Sequence, residues 1–268
     1  MSETKRRASL AAEVLAIVAV PIVLAVCVVS GFEQTALLSL AVVLVSLGVF
    51  FAGFEGARPR MRDIMPTVVL AALAAAGRIL FAPFPDFKPV SAIAIIAGVA
   101  FGRRSGFMVG ALAALASNFF FGQGPWTPWQ MYAWGLVGYL AGVLAQTGLF
   151  SGAITHGNLP TENALAEVPA QRKPSDAAGA RRASIILAAS PLYLYGFISG
   201  PLYGVILNLW SIIGFYHPQD ALQFALVYAA ALPFDIVHGV ATVVFLLALY
   251  APWHRKLERV KRKYGISG

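Results

Sequence analysis

Apolar residues in this chain come in long blocks separated by short polar connectors. Eight such blocks are Ala11–Ser30, Ala36–Phe54, Pro66–Pro83, Val90–Phe101, Ser105–Phe121, Gln130–Phe150, Ala183–Ile213 and Ala221–Tyr250. Most are near the ~20 residues that a helix needs to cross a bilayer. Val90–Phe101 is the short one, opened by Pro89 and finished near Gly102. Pro21, Pro191, Pro201 and Pro233 fall inside blocks, which a membrane helix tolerates where neighbours re-satisfy the freed carbonyl. The pattern predicts an all-α, polytopic membrane protein. Ser151–Arg182, rich in Ala, Pro, Gln and Glu, reads as a flexible linker between the sixth and seventh spans.

Composition agrees: 59% of the 268 residues are hydrophobic and 12% charged, about half the charge usual in a soluble domain. The net charge of +8 raises nucleic acid as a partner, but its distribution argues for topology instead. Basic residues cluster at alternate connectors: Lys5–Arg7, Arg58–Arg62, Arg103–Arg104, Arg172–Arg182 and Arg255–Lys263, together 18 of 20. The positive-inside rule then puts both termini in the cytoplasm of a plasma-membrane protein. The remaining two are Lys88, on the opposite side, and Arg78, within the third span. The first apolar run lacks a small-residue cleavage site, so no cleavable signal peptide is expected. The lone Cys27 reads as inert packing.

Candidate chemistry concentrates on the side predicted to face outward. The connector after the fifth span runs Asn118-Phe-Phe-Phe-Gly-Gln-Gly-Pro-Trp-Thr-Pro-Trp-Gln130. Pro and Gly fix an unusual backbone path. Trp126 and Trp129 offer amphipathic faces, and Asn118, Gln123 and Gln130 offer donors and acceptors. The bland reading is an interfacial aromatic belt; the sharper one is the rim of an outward pocket, joined by Lys88 in the Phe84–Pro89 turn and by the Phe215–Gln219 turn. Tyr203 and Asn208 near the outer end of the seventh span are either interhelical hydrogen-bonding groups or part of that lining.

Three ionisable residues lie within spans. Arg78 either snorkels to the outer interface or faces a ligand. Asp235 and His238, three apart, share a helical face and form either a buried structural set, with Arg78 as the partner of Asp235, or a functional one. The third span carries two overlapping small-xxx-small pairs, Ala71/Ala75 and Ala72/Ala76, which suit close helix packing, internal or with another subunit. No P-loop, H-E-x-x-H or G-x-S-x-G motif occurs, and the four His residues are scattered, so no catalytic site, metal site or cofactor is expected.

Residues 66–250 resemble the substrate-binding membrane subunit, or S component, of energy-coupling factor vitamin transporters. The segments that carry the resemblance are Ala71–Arg78, Phe87-Lys-Pro-Val-Ser-Ala92, Gly98-Val-Ala-Phe-Gly102, Gly106–Met131 and Leu232-Pro-Phe-Asp-Ile-Val-His238. The resemblance implies a six-helix substrate-binding core at 64–253, preceded by a two-helix extension at 1–63 and followed by a basic cytoplasmic tail at 254–268. It implies a small vitamin or cofactor-like substrate, with Trp-Thr-Pro-Trp-Gln most similar to a cobalamin-type branch. It also implies a transmembrane coupling (T) subunit docking on the Ala-x-x-x-Ala face, and two cytoplasmic ATPases that supply the power. The chain itself would then be no enzyme.

Other function classes remain open at this point, among them a static membrane assembly factor, which leaves the aromatic outer loop unexplained. A stand-alone ion- or proton-coupled transporter would use Asp235 and His238 as a relay. An intramembrane enzyme would use the same two as acid and base.

Overall fold

The computed structural model describes residues 3–30, 35–56, 60–153 and 190–266. Most of the expected linker and the start of the seventh span therefore lie outside the described residues. Within them the chain folds into helices alone: α1 (Glu3–Ser30), α2 (Thr35–Gly56), α3 (Met61–Leu80), α4 (Val90–Phe101), α5 (Arg103–Phe121), α6 (Thr127–Gln146), α7 (Ser190–Ser211) and α8 (Ala221–Tyr264). A π turn, Ile212–Tyr216, continues α7. Four segments are long and apolar enough to cross a membrane by length and composition: Asp63–Leu80, Arg103–Phe121, Ser190–Tyr216 and Ala221–Tyr264.

The short helix α4 is the axis of the core. All its residues but Val99 are buried, and it packs against α3, α5, α6, α7 and α8. Its sequence explains this: apolar and small residues occur all round the helix rather than on one stripe, the mark of a helix enclosed on every side. Gly102, at φ 86, turns the chain sharply into α5, a conformation that costs a residue with a side chain. The tightest seam lies between α5 and α6, where a Cβ on Gly138 would overlap the Gly106 carbonyl. Small residues here let backbones approach, as membrane helices require in the absence of a hydrophobic drive between them.

Two of the boundaries that differ from the sequence expectation have a clear physical cause. Helix α3 begins before Pro66, because Asp63 accepts from the Arg60 backbone N–H at 2.9 Å and caps the first turn. Helix α8 does not end at Tyr250 in a separate basic tail. It runs on to Tyr264 and stops at Gly265, φ 59. Its continuation is amphipathic: Trp253, Leu257 and Val260 pack on the core, while Lys261 pairs with Glu258 at 2.9 Å. Basic charge therefore decorates a helix that apolar positions hold in place.

The bundle has two unlike ends. At one, Arg60 donates to the Gly265 carbonyl at 3.2 Å, and Arg103 and Arg104 meet Glu13. At the other lie the connectors 81–89, 122–126 and 217–220. Trp126 touches Trp210 at 6.3 Å and Trp210 touches Phe215 at 5.0 Å, so the second and third of these connectors converge. The first leans on α8 through Phe81 and Phe87 against Phe245.

Candidate substrate site

At the connector end a column of rings and one guanidinium crosses the bundle. Phe121 of α5 lies 4.6 Å from the Arg78 guanidinium, and Arg78 lies 4.8 Å from the Trp134 ring of α6. Trp134 stacks on Tyr203 of α7 at 4.6 Å and 29°, and Tyr203 meets His238 of α8 at 4.9 Å. His238 closes the column on α4, its Nε2 lying 2.7 Å from Ser91 Oγ. One side chain from each of α3, α4, α5, α6, α7 and α8 thus takes part.

Arg78 is held by more than rings. Its Nη1 donates to Ser117 Oγ and to Asn118 Oδ1, both at 2.6 Å. Asn118 is fully buried and saturated: its amide nitrogen donates to Gln130 Oε1 at 2.8 Å and to Thr127 Oγ1 at 3.0 Å. Thr127 in turn donates to Gln123 Oε1 at 3.0 Å. The Asn118–Gln130 stretch is therefore a turn knitted by its own side chains and anchored to the cation of α3.

Not every expected lining residue joins this cluster. Trp129 is 1% exposed and turns to the far side of α6, where it lines a crevice of about 200 Å³ with Leu37, Leu40, Pro125, Trp210 and Phe215. Trp126 sits on the rim against Trp210. Gln123 is exposed and binds the Leu115 carbonyl at 3.0 Å, a turn-closing role. Lys88 caps the end of α3 by donating to the carbonyls of Phe81, Phe84 and Ala82, where a cation complements the helix dipole. Burial pushes its ammonium below the usual lysine range, partly opposed by nearby Asp86.

The expected Arg78–Asp235 pair does not form. Arg78 is satisfied by Ser117 and Asn118, whereas Asp235 makes no hydrogen bond or ion pair among the described residues. Its carboxylate lies over Gly204, where a Cβ would overlap it. No hydrogen bond links Asp235 to His238 either, so the two form no direct relay. Asn208 is half-buried and its amide nitrogen has no partner; the indole N–H of Trp134 is likewise unmatched. Among the alanines of α3, Ala71 and Ala75 are packed inside, while Ala72 and Ala76 face outward.

Sequence reasoning missed Ser91, Ser117, Phe121, Thr127 and Trp134. Trp134 was within reach, since it follows Gln130 by one helical turn. Asp86, at φ 52 in the 81–89 connector, was also missed. Burial raises its carboxyl pKa above the ordinary 3.8, with Lys88 pulling the other way.

The fold and this cluster define a multi-pass membrane protein with a polar and aromatic site enclosed by six helices at one end. Residues 60–156 match the family model for the ECF-type riboflavin transporter, S component. Over that segment the chain is similar to the S components of energy-coupling factor transporters, a class of substrate-specific binding subunits that associate with a T subunit and two ATPases. No curated protein and no solved structure matches the chain. The expected cobalamin-type branch finds no support in the match, whose description names riboflavin.

Proposed function

We propose that this chain captures a vitamin of the riboflavin class, a planar tricycle with a polyhydroxyl side chain, for ATP-driven import. The observation that carries this is the Phe121–Arg78–Trp134–Tyr203–His238 column at the connector end, within a chain whose 60–156 segment matches a riboflavin S-component model. A planar ring enters by parting one joint of such a column and replacing one stacking neighbour with another. The unmatched donors of Trp134 and Asn208 suit the carbonyl and ring-nitrogen acceptors of the tricycle. Hydroxyls of the side chain suit Asp235, Gln130 and Lys88, with Trp126 and Gln123 shaping the rim and Trp129 backing it from the far side of α6.

The positive-inside rule supports placing the site outward and both termini in the cytoplasm. The S-component reading carries with it the division into an extension at 1–63, a core at 64–253 and a basic continuation at 254–268. The outward Ala72/Ala76 pair is the docking strip assigned to the T subunit, backed from inside by Ala71 and Ala75. Titrating the purified chain against riboflavin tests the reading. Stacking quenches flavin fluorescence, so saturable quenching that excess cobalamin does not reverse is expected. An unchanged flavin signal, or displacement by cobalamin, would overturn it.

A further inference from the structure

Helices α1 and α2 lie across the α5–α6 flank of the core, and one buried carboxylate joins the two parts. Glu13, 1% exposed, accepts from Arg103 Nε at 3.0 Å, from Arg104 Nε at 2.7 Å and from the Tyr139 hydroxyl at 2.8 Å. These three partners come from the first turn of α5 and from α6. Phe50 stacks on Phe107 at 3.9 Å and meets Tyr139 edge-on at 5.3 Å. Further along, the Tyr132 hydroxyl donates to the Ile17 carbonyl at 3.3 Å, and at the connector end Leu37 and Leu40 wall the crevice beside Trp129. Contact runs the whole length of the flank.

We infer that the α1–α2 hairpin is a built-in partner, locked by Glu13, that closes the α5–α6 flank, so that the coupling subunit docks away from it, on the α3 side. The physical reason is the cost of an unpaired ion. Glu13 cannot leave Arg103 and Arg104 without stranding a carboxylate inside an apolar helix, and the arginines would lose their counter-charge. The outer faces of α1 and α2 are merely apolar, with Leu15 and Val45 each 68% exposed, as lipid contact requires. The lock follows from the geometry alone; the consequence for docking rests on the S-component reading.

The test uses the full chain in a Cys27→Ser background, with Phe50→Cys and Phe107→Cys joined by a short thiol cross-linker. Glu13→Lys is expected to cut cross-linking about tenfold or more, and Glu13→Lys with Arg104→Glu to restore most of it. Flavin titration reports whether the core stays folded, and Glu13→Gln replaces Glu13→Lys should that variant not fold. Undiminished cross-linking in Glu13→Lys or Glu13→Gln, or no rescue by the reversed pair, overturns the lock. In a second arm, a bulky maleimide on Leu15→Cys is expected to spare copurification with the T subunit and ATPases, whereas Ala72→Trp abolishes it. The opposite result overturns the flank assignment. Failure of the unmodified chain to copurify removes the S-component reading and leaves the lock standing.

Discussion

Asn118 is the residue on which the site's geometry turns, and replacing it gives a sharp expectation. It is fully buried and ties three helices together, accepting from Arg78 and donating to Thr127 and Gln130. Asn118→Ala removes one charge-assisted bond, about 1.5–3 kcal/mol, and two neutral ones, about 0.5–1.5 kcal/mol each. Interhelical hydrogen bonds in membranes average nearer ~0.6 kcal/mol, which sets a floor of about 2 kcal/mol for three. A destabilisation of about 2–4 kcal/mol is expected in reversible unfolding from mixed micelles. Asn118→Asp behaves differently. Its carboxylate keeps the contact with Arg78, and Gln130 and Thr127 turn their donors toward it, so most stability survives. The Arg78 charge is then neutralised, and flavin affinity is expected to fall by about tenfold, or ~1.4 kcal/mol. A loss below about 0.5 kcal/mol in Asn118→Ala would refute the network, and wild-type flavin binding by Asn118→Asp would refute a role for the Arg78 charge.

Four further outcomes follow from the same geometry. Arg78→Lys keeps the charge but loses the planar face between Phe121 and Trp134, so a stability loss of about 1–2 kcal/mol is expected in the same unfolding assay. Asp86→Asn tests the raised carboxyl pKa: burial favours the protonated form, so the wild type loses stability as pH rises from 3.8 through the raised value. The variant, which tolerates φ 52 equally, is then the more stable at neutral pH, and a pH series of melting curves should show its advantage vanish toward pH 3.8. Gly138→Ala drives a methyl into the Gly106 carbonyl and is expected to cost about 1–3 kcal/mol by the same unfolding measurement. Asn208→Leu removes an unmatched buried donor, so the empty protein is expected to gain about 1 kcal/mol while flavin affinity drops; a gain in stability with binding intact would mean that Asn208 does not touch the vitamin.

Much of the bundle was readable from the chain because membrane spans announce themselves by length, and α4 begins and ends where the apolar run does. The end of α8 was not readable, since a run of basic residues masks the apolar stripe of Trp253, Leu257 and Val260 that continues the helix. Site membership was legible in part. Arg78, Asn118, Gln130, Tyr203 and His238 stand out as polar or ionisable groups among apolar neighbours, and all five meet. Trp129 stands out equally and points elsewhere, because one residue of offset from Gln130 rotates a side chain by about 100° around the helix. The same rotation separates Ala71/Ala75 from Ala72/Ala76. Which pair faces inward is decided by the neighbours of α3, and no local pattern in α3 itself contains that information.

The cation in the column raises the question of what keeps it there. A charged side chain deep in a span costs about 2.5–3.5 kcal/mol on insertion scales. Two charge-assisted bonds to Ser117 and Asn118 return about 1.5–3 kcal/mol each, and each ring face returns about 0.5–2 kcal/mol. Arg78 is therefore self-sufficient in the empty protein and does not depend on a ligand for its stability. The indole N–H of Trp134 and the amide of Asn208 stand in the opposite position, each buried without a partner at a cost of about 1–3 kcal/mol. Any affinity drawn from Arg78 must come as a difference between old partners and new ones, whereas affinity drawn from Trp134 and Asn208 comes as the recovery of a cost already incurred. On that arithmetic the arginine organises the site, and under the proposed flavin reading the unmatched donors would supply more of the free energy that the bound vitamin gains.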